Sequence, residues 1–241
     1  MRDTTVDVLT PTPARVWGDQ WLRVSEKVLK GLNHQLSNRV ASIEAVTSLL
    51  EPGDGADTKL TAALLAEVER LSTLVRLYRL LPAEPRADPE PVRLQDVLPH
   101  VLDLHLYHSD LRGVACELAP GCDADPVLVR PSALMRSLLV LLESAAGNIY
   151  RSGEPGVIRL AFGGDAERSR LTLEAPFPAG QEVFTGVGSL VHAVRDALAH
   201  ADAVVEASRE VHDGAATLRY ELVLPTLSVA RRRESAMGNG Q

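Results

Sequence analysis

Two long apolar stripes, separated by a short turn cluster, constrain this chain more than any other feature. From Val24 the apolar residues fall at Val24, Val28, Leu32, Leu36, Val40, Ile43 and Leu50, which is the repeat of one helix face. Thr12 followed by Pro13 supplies an N-cap and first-turn signal ahead of them. Pro-Gly-Asp-Gly at 52–55 must end that helix near Glu51. A second stripe then runs through Leu60, Leu64, Val68, Leu71, Val75 and Tyr78 and stops at Pro82. The spacing predicts an antiparallel hairpin over 13–81. A lone hairpin leaves an apolar side on each helix, and pairing two copies into a four-helix bundle takes that surface out of water. A homodimer is therefore expected, the simpler arrangement being a hairpin packed on the rest of its own chain.

Residues 82–93 open with PAEPRADPEP, whose four prolines read as a semi-rigid linker. Beyond it, helices and alternating short strands mix. Helices are expected from Leu94 to His108, from Pro131 through Ala145, and from Ser189 to His200. Strands are expected at 114–118, 127–130, 157–162, 170–175, 203–208 and 216–224, with a loop over 176–188. The fold class is thus α+β: a helical hairpin followed, over 94–226, by an α/β two-layer sandwich. The tail 227–241, with Arg231, Arg232 and Arg233 and then small polar residues, is expected to be disordered.

Composition narrows the classes. Hydrophobic residues make up 45% and charged residues 24%, a globular balance. The net charge of -7 argues against a nucleic-acid binder. Cys116 and Cys122 are too few for a disulfide framework or a cysteine zinc site. Arg136 and Glu143 interrupt the best candidate for a membrane span, and no apolar stretch follows Arg2 and Asp3 as a signal peptide would require. A cytoplasmic protein is the expectation.

The order of elements resembles a bacterial sensor histidine kinase reduced to its last two domains. The segment from His34 to Ile43, HQLSNRVASI, looks like the phosphoacceptor box on the first helix of a dimerisation and phosphotransfer domain. Val92 to Leu98, VRLQDVL, is similar to the entry into the ATP-binding domain. Arg136 to Asn148 resembles the helix that carries that domain's nucleotide and magnesium asparagines, and Thr185-Gly186-Val187-Gly188-Ser189 falls where the glycine-rich lid would lie. The departures matter as much. Val140 and Ser144 stand at the two asparagine positions, and Val140 can neither ligate nor hydrogen-bond. The adenine-gripping segment reads LEAPFPAG at 173–180, with no aspartate.

A chain that keeps the histidine and loses the nucleotide residues resembles the two-domain histidine phosphotransferases of sporulation and cell-cycle phosphorelays. The resemblance implies transfer of phosphoryl groups between receiver aspartates through His34. Response-regulator receiver domains would be the partners, and a partner would supply magnesium. No cofactor is expected in this chain. Gln35 stands where the family has an acid; it can hydrogen-bond the ring but cannot act as a base. Asn38 occupies the place of a polar residue that can steer water. Two readings compete with the relay: a divergent ATP-dependent kinase, and a non-catalytic dimeric scaffold for a regulator.

The residues also speak for themselves. A neutral imidazole is a nucleophile, and histidine is largely neutral near pH 7. His34 lies about 200° around the helix from Leu32, off the apolar stripe, so it should face solvent. Lys30 and Arg39, within roughly one turn, could meet an incoming phosphate. Gly31 would let a partner approach closely. Elsewhere, His105 and His108, with His100 and Asp103 nearby, have a spacing that can hold zinc, although no further ligand pattern completes the set. His192 and His200 read as surface residues. Ser144 and Ser189 lack the context of a hydrolase elbow.

Overall fold

The computed structural model describes residues 12–49, 58–81, 88–111, 113–120, 124–153, 156–180, 186–212 and 214–238. The Pro-Gly-Asp-Gly turn, most of the proline-rich linker, Cys122 and Thr185 lie outside them. Helix α1 spans Pro13–Ser48, with Pro13 in its first turn, and α2 spans Thr58–Leu80. Both stripes are on helices, but they do not bury uniformly. Val24, Val28 and Leu32 are fully buried, and so are Leu74 and Leu77. Val40, Val68, Val75 and Tyr78 remain about two-fifths exposed. The N-terminal half of α1 packs on the α/β part, and its middle packs on α2.

The rest of the chain runs β1 (Glu90–Val92), α3 (Leu94–His105), β2 (Ala115–Leu118), β3 (Val127–Val129), α4 (Pro131–Ser152), β4 (Val157–Gly164), β5 (Arg168–Pro178), α5 (Val187–Ala197), β6 (Val204–His212), β7 (Ala215–Pro225) and α6 (Leu227–Gly238). Five strands form one sheet in the order β2-β4-β5-β7-β6, with β2 parallel to β4 and the other pairs antiparallel. Strands β1 and β3 pair separately. On β7 the alternation is strict: Ala216, Leu218, Tyr220, Leu222 and Leu224 are buried beneath the helices. The opposite face carries a ladder of charges in which Arg170 meets Glu221 at 2.7 Å and Arg219 reaches Glu221 and Glu174 at 3.5 and 3.6 Å. The α+β class and the helix-on-sheet layering stand as expected.

Three local expectations change. The loop expected from 176 does not begin there, because β5 stays paired with β7 as far as Pro178 opposite Ala215. Pairing with β4 stops at Glu174, so beyond it β5 has a neighbour on one side only. Pro176 and Pro178, two residues apart, can turn their missing N–H to that open side. Strand β1 arises inside the segment read as linker, by pairing with β3. The tail read as disordered is helical over Leu227–Gly238. Its first turn is tied down by Leu227 N–H to the Pro126 carbonyl, at 2.6 Å, and by Thr226 Oγ1 to the Ala166 carbonyl, at 2.9 Å.

A buried histidine makes the stability pH-dependent. Burial, helped by the neighbouring His108, pushes His105 down to about 4, and a hydrogen bond to the Val114 backbone only partly opposes this. The unfolded chain takes up that proton below pH 6.5, whereas the folded chain stays neutral until about pH 4. Stability therefore falls as pH drops from 6.5 towards 4. At about 1.4 kcal/mol per pH unit, the loss is roughly 3 kcal/mol. Urea unfolding at about pH 7 and about pH 4.5 should show this slope, and His105→Leu should remove most of it. An equal slope in the variant would contradict the assignment.

Candidate functional site

His34 is exposed on the solvent side of α1, as its helical phase requires. Asn38, one turn on, places Nδ2 3.2 Å from His34 Nδ1. The ring is thus contacted by Asn38 rather than by Gln35, the residue expected to reach it; Gln35 is half-buried. Lys30 is exposed one turn before His34. Arg39 is not held ready for phosphate. Its guanidinium lies 3.1 and 3.4 Å from the Glu67 carboxylate across the hairpin, and Arg70 binds the same carboxylate. Burial raises Glu67, and the hydrogen bonds and charges of the two arginines outweigh it, holding the carboxyl below its usual range. Glu67 was missed in the sequence. The signal was there: an acid at a buried phase of the stripe that carries Leu60, Leu64, Leu71 and Leu74 needs a cationic partner.

Gly31 does not open the helix to a partner. A Cβ on it would stand 1.7 Å from the Tyr107 carbonyl oxygen, so the chain's own α3–β2 turn occupies that space. The contact belongs to a seam along α1. Ser109 N–H donates to the Lys27 carbonyl at 3.3 Å, and Lys27 Nζ pairs with Asp110. Arg23 grips Glu143 on α4 at 3.1 and 3.2 Å. The Arg136 guanidinium sits 4.9 Å from the ring centroid of Trp21. Burial pushes Glu143 up, but His108 and Arg23 beside it more than compensate, and its carboxyl is held low. A cavity of about 290 Å³ remains between α1 and α4, lined among others by Arg23, Lys27, Glu143, Ser144 and Arg151.

Part of what the kinase resemblance assigns to nucleotide is filled with core, while half-buried Ser144 lines the cavity between α1 and α4. Val140 and Ala175 are fully buried. The Ser144 hydroxyl lies 2.8 Å from the Tyr220 hydroxyl, which burial pushes up to about 12. Phe177 is buried, with the Arg209 guanidinium 5.7 Å over its ring. Gly186 serves as the N-cap of α5, and α1 packs against α5.

The zinc reading of the histidines gains no support. The His105 and His108 rings are 6.4 Å apart, both are buried, and among the described residues no three His, Cys, Asp or Glu side chains are arranged to hold a metal. His200 is half-buried, and its Nε2 accepts the Arg130 N–H at 3.1 Å, so it is structural rather than a plain surface residue. Burial raises the Cys116 thiol to about 11. Among the described residues no helix is long and apolar enough to cross a membrane.

No family model matches the chain, and no curated protein matches it. Solved structures do. A histidine kinase from Burkholderia phymatum STM815 is 17% identical over 86% of this chain and 98% of its own, with a TM-score of 0.45. A bacterial phosphotransferase is 15% identical over 83% of this chain and 96% of its own, with a TM-score of 0.38. The histidine kinase ThkA, in complex with the response regulator protein TrrA, is 16% identical over 80% of this chain and 59% of its own, with a TM-score of 0.39. Histidine kinases are thus among the solved structures to which the chain is similar, at low identity.

Proposed function

We propose that this chain is a histidine phosphotransferase of a two-component phosphorelay, accepting a phosphoryl group from one receiver aspartate on His34 and passing it to another. The observation that carries the reading is a contrast. His34 is open to solvent, while Val140, Ala175 and Phe177, which stand where the resemblance would put nucleotide contacts, are buried apolar side chains. An aspartyl phosphate is an acyl phosphate, so the step needs alignment more than a strong base. A lone pair on the His34 ring forms the N–P bond. The P–O bond to the aspartyl carboxyl breaks, and its electron pair stays on the receiver's carboxylate. Transfer onward is the reverse step on a second receiver. Magnesium is assigned to the receiver, and Lys30 is the side chain placed to offset phosphate charge. Cells would hold such a relay in the cytoplasm.

The competing kinase reading requires nucleotide. Calorimetry with magnesium-ATP should show no binding at millimolar nucleotide; a micromolar dissociation constant would favour the kinase.

The relay reading includes a homodimer through the hairpin. Val40, Val68, Val75 and Tyr78, each about two-fifths exposed, lie on the two stripes. Full burial of one such side chain is worth about 1.5–3 kcal/mol. Light scattering should give twice the monomer mass. Val68→Glu with Val75→Glu should shift the protein to monomer without unfolding it, because both side chains are already partly in water. A monomeric wild type at micromolar concentration would contradict the dimer.

A further inference from the structure

The two nitrogens of a neutral imidazole differ: one carries the hydrogen and the other the lone pair. Attack on phosphorus requires a lone pair that nothing else holds. In His34 it is Nδ1 that meets the Asn38 amide, at 3.2 Å, and both side chains are exposed. Nε2 is therefore the nitrogen left for phosphate. With the amide nitrogen towards the ring, Nδ1 accepts a hydrogen bond and the ring's proton sits on Nε2, which blocks attack there. A half-turn of the amide puts Oδ1 in the same place. Nδ1 then donates, and Nε2 bears the lone pair. An amide offers both arrangements from one position, whereas a carboxylate can only accept and an ammonium can only donate.

We propose that Asn38 is a positioning residue that selects which nitrogen of His34 is nucleophilic, taking over the ring-orienting task that Gln35 does not perform. The proposal rests on the phosphotransferase reading for its chemistry. In the productive arrangement Nε2 forms the N–P bond, and the acyl P–O bond breaks with its electrons on the carboxylate. The ring becomes positive, with its Nδ1 hydrogen donated to Asn38 Oδ1. A neutral acceptor holds that hydrogen more loosely than a carboxylate would, because hydrogen bonds to charged acceptors are roughly twice as strong. Phosphohistidine is then not trapped, which suits a group that must leave again. Lys30, one turn before the ring on the same helix, carries no acceptor that could compete for the Nδ1 hydrogen.

The test uses the full chain with nitrogen-labelled histidine, the His34 signals being identified by their loss in His34→Ala. Long-range proton–nitrogen correlation reads which ring nitrogen is protonated. Asn38→Asp should move His34 to the Nδ1–H form and keep phosphoryl acceptance within about threefold of wild type or better. Asn38→Leu should leave the tautomer free and slow acceptance about tenfold at saturating receiver, the effect of one ordinary hydrogen bond, with the receiver's KM unchanged. Unchanged tautomers in both variants would overturn the proposal. So would wild-type transfer rates in Asn38→Leu accompanied only by altered phosphate loss, which would make Asn38 a water-steering residue. A wild type that accepts no phosphoryl group would defeat the phosphotransferase reading instead, and the tautomer measurement would still decide the role of Asn38.

Discussion

Gly31→Ala is expected to destabilise the protein and to loosen the α/β part from α1. Two effects oppose each other. Alanine is better than glycine inside a helix by about 1 kcal/mol. Against that, the new methyl would stand 1.7 Å from the Tyr107 carbonyl oxygen and 2.8 Å from its carbon. These are backbone atoms, so no side chain can swing away. The turn must move, and overpacking of this kind costs about 1–3 kcal/mol or more. It must also pull on Ser109 N–H, Lys27 with Asp110, and Arg23 with Glu143, which lie along the same seam. The clash wins, for a net loss of at least about 1 kcal/mol. Gly18 is the control. It lies in the same helix, and a methyl added there would have nothing within 4 Å, so Gly18→Ala should stabilise by about 1 kcal/mol. Thermal unfolding of the two variants should move Tm in opposite directions, and small-angle scattering of Gly31→Ala should show a larger radius. A Gly31→Ala protein as stable as Gly18→Ala would contradict the seam.

Much of the hairpin was legible because its determinants are local. Apolar spacing gives the helix faces, Pro13 gives the start, and the phase of His34 relative to Leu32 gives its exposure. The seam was not legible. Gly31 in a sequence is only a poor helix residue; that it faces Tyr107 depends on how the turn after α3 is brought back against α1, which no local pattern encodes. Arg39 shows the same limit. Its helical position suggests a phosphate contact, but Glu67, 28 residues away, takes its guanidinium. Helix α6 has few apolar residues and three consecutive arginines, so its composition reads as tail. It is ordered by tethers from elsewhere, including Arg233 to Asp202 at 2.6 Å. The nucleotide positions fall between these cases. Val140, at a position the resemblance gives to an asparagine, can be read as unable to ligate from the sequence alone, whereas the burial of Phe177 follows only from the pairing of β5 through Pro178.

Transfer of labelled phosphate from a phosphorylated receiver domain to the wild type and to His34→Ala is the most direct measurement of the phosphotransferase reading. The receivers should be those encoded in the same genome. His34 is exposed, so its removal should leave the fold and the proposed dimer intact, and circular dichroism and light scattering of the variant should match the wild type. The wild type is expected to acquire acid-labile, alkali-stable label from at least one receiver and to return it to another. His34→Ala is expected to acquire none, a loss that far exceeds the roughly tenfold effect of an orienting residue. Label passing equally to the His34→Ala protein, or passing to the wild type from no receiver, would contradict the account and leave the chain as a scaffold.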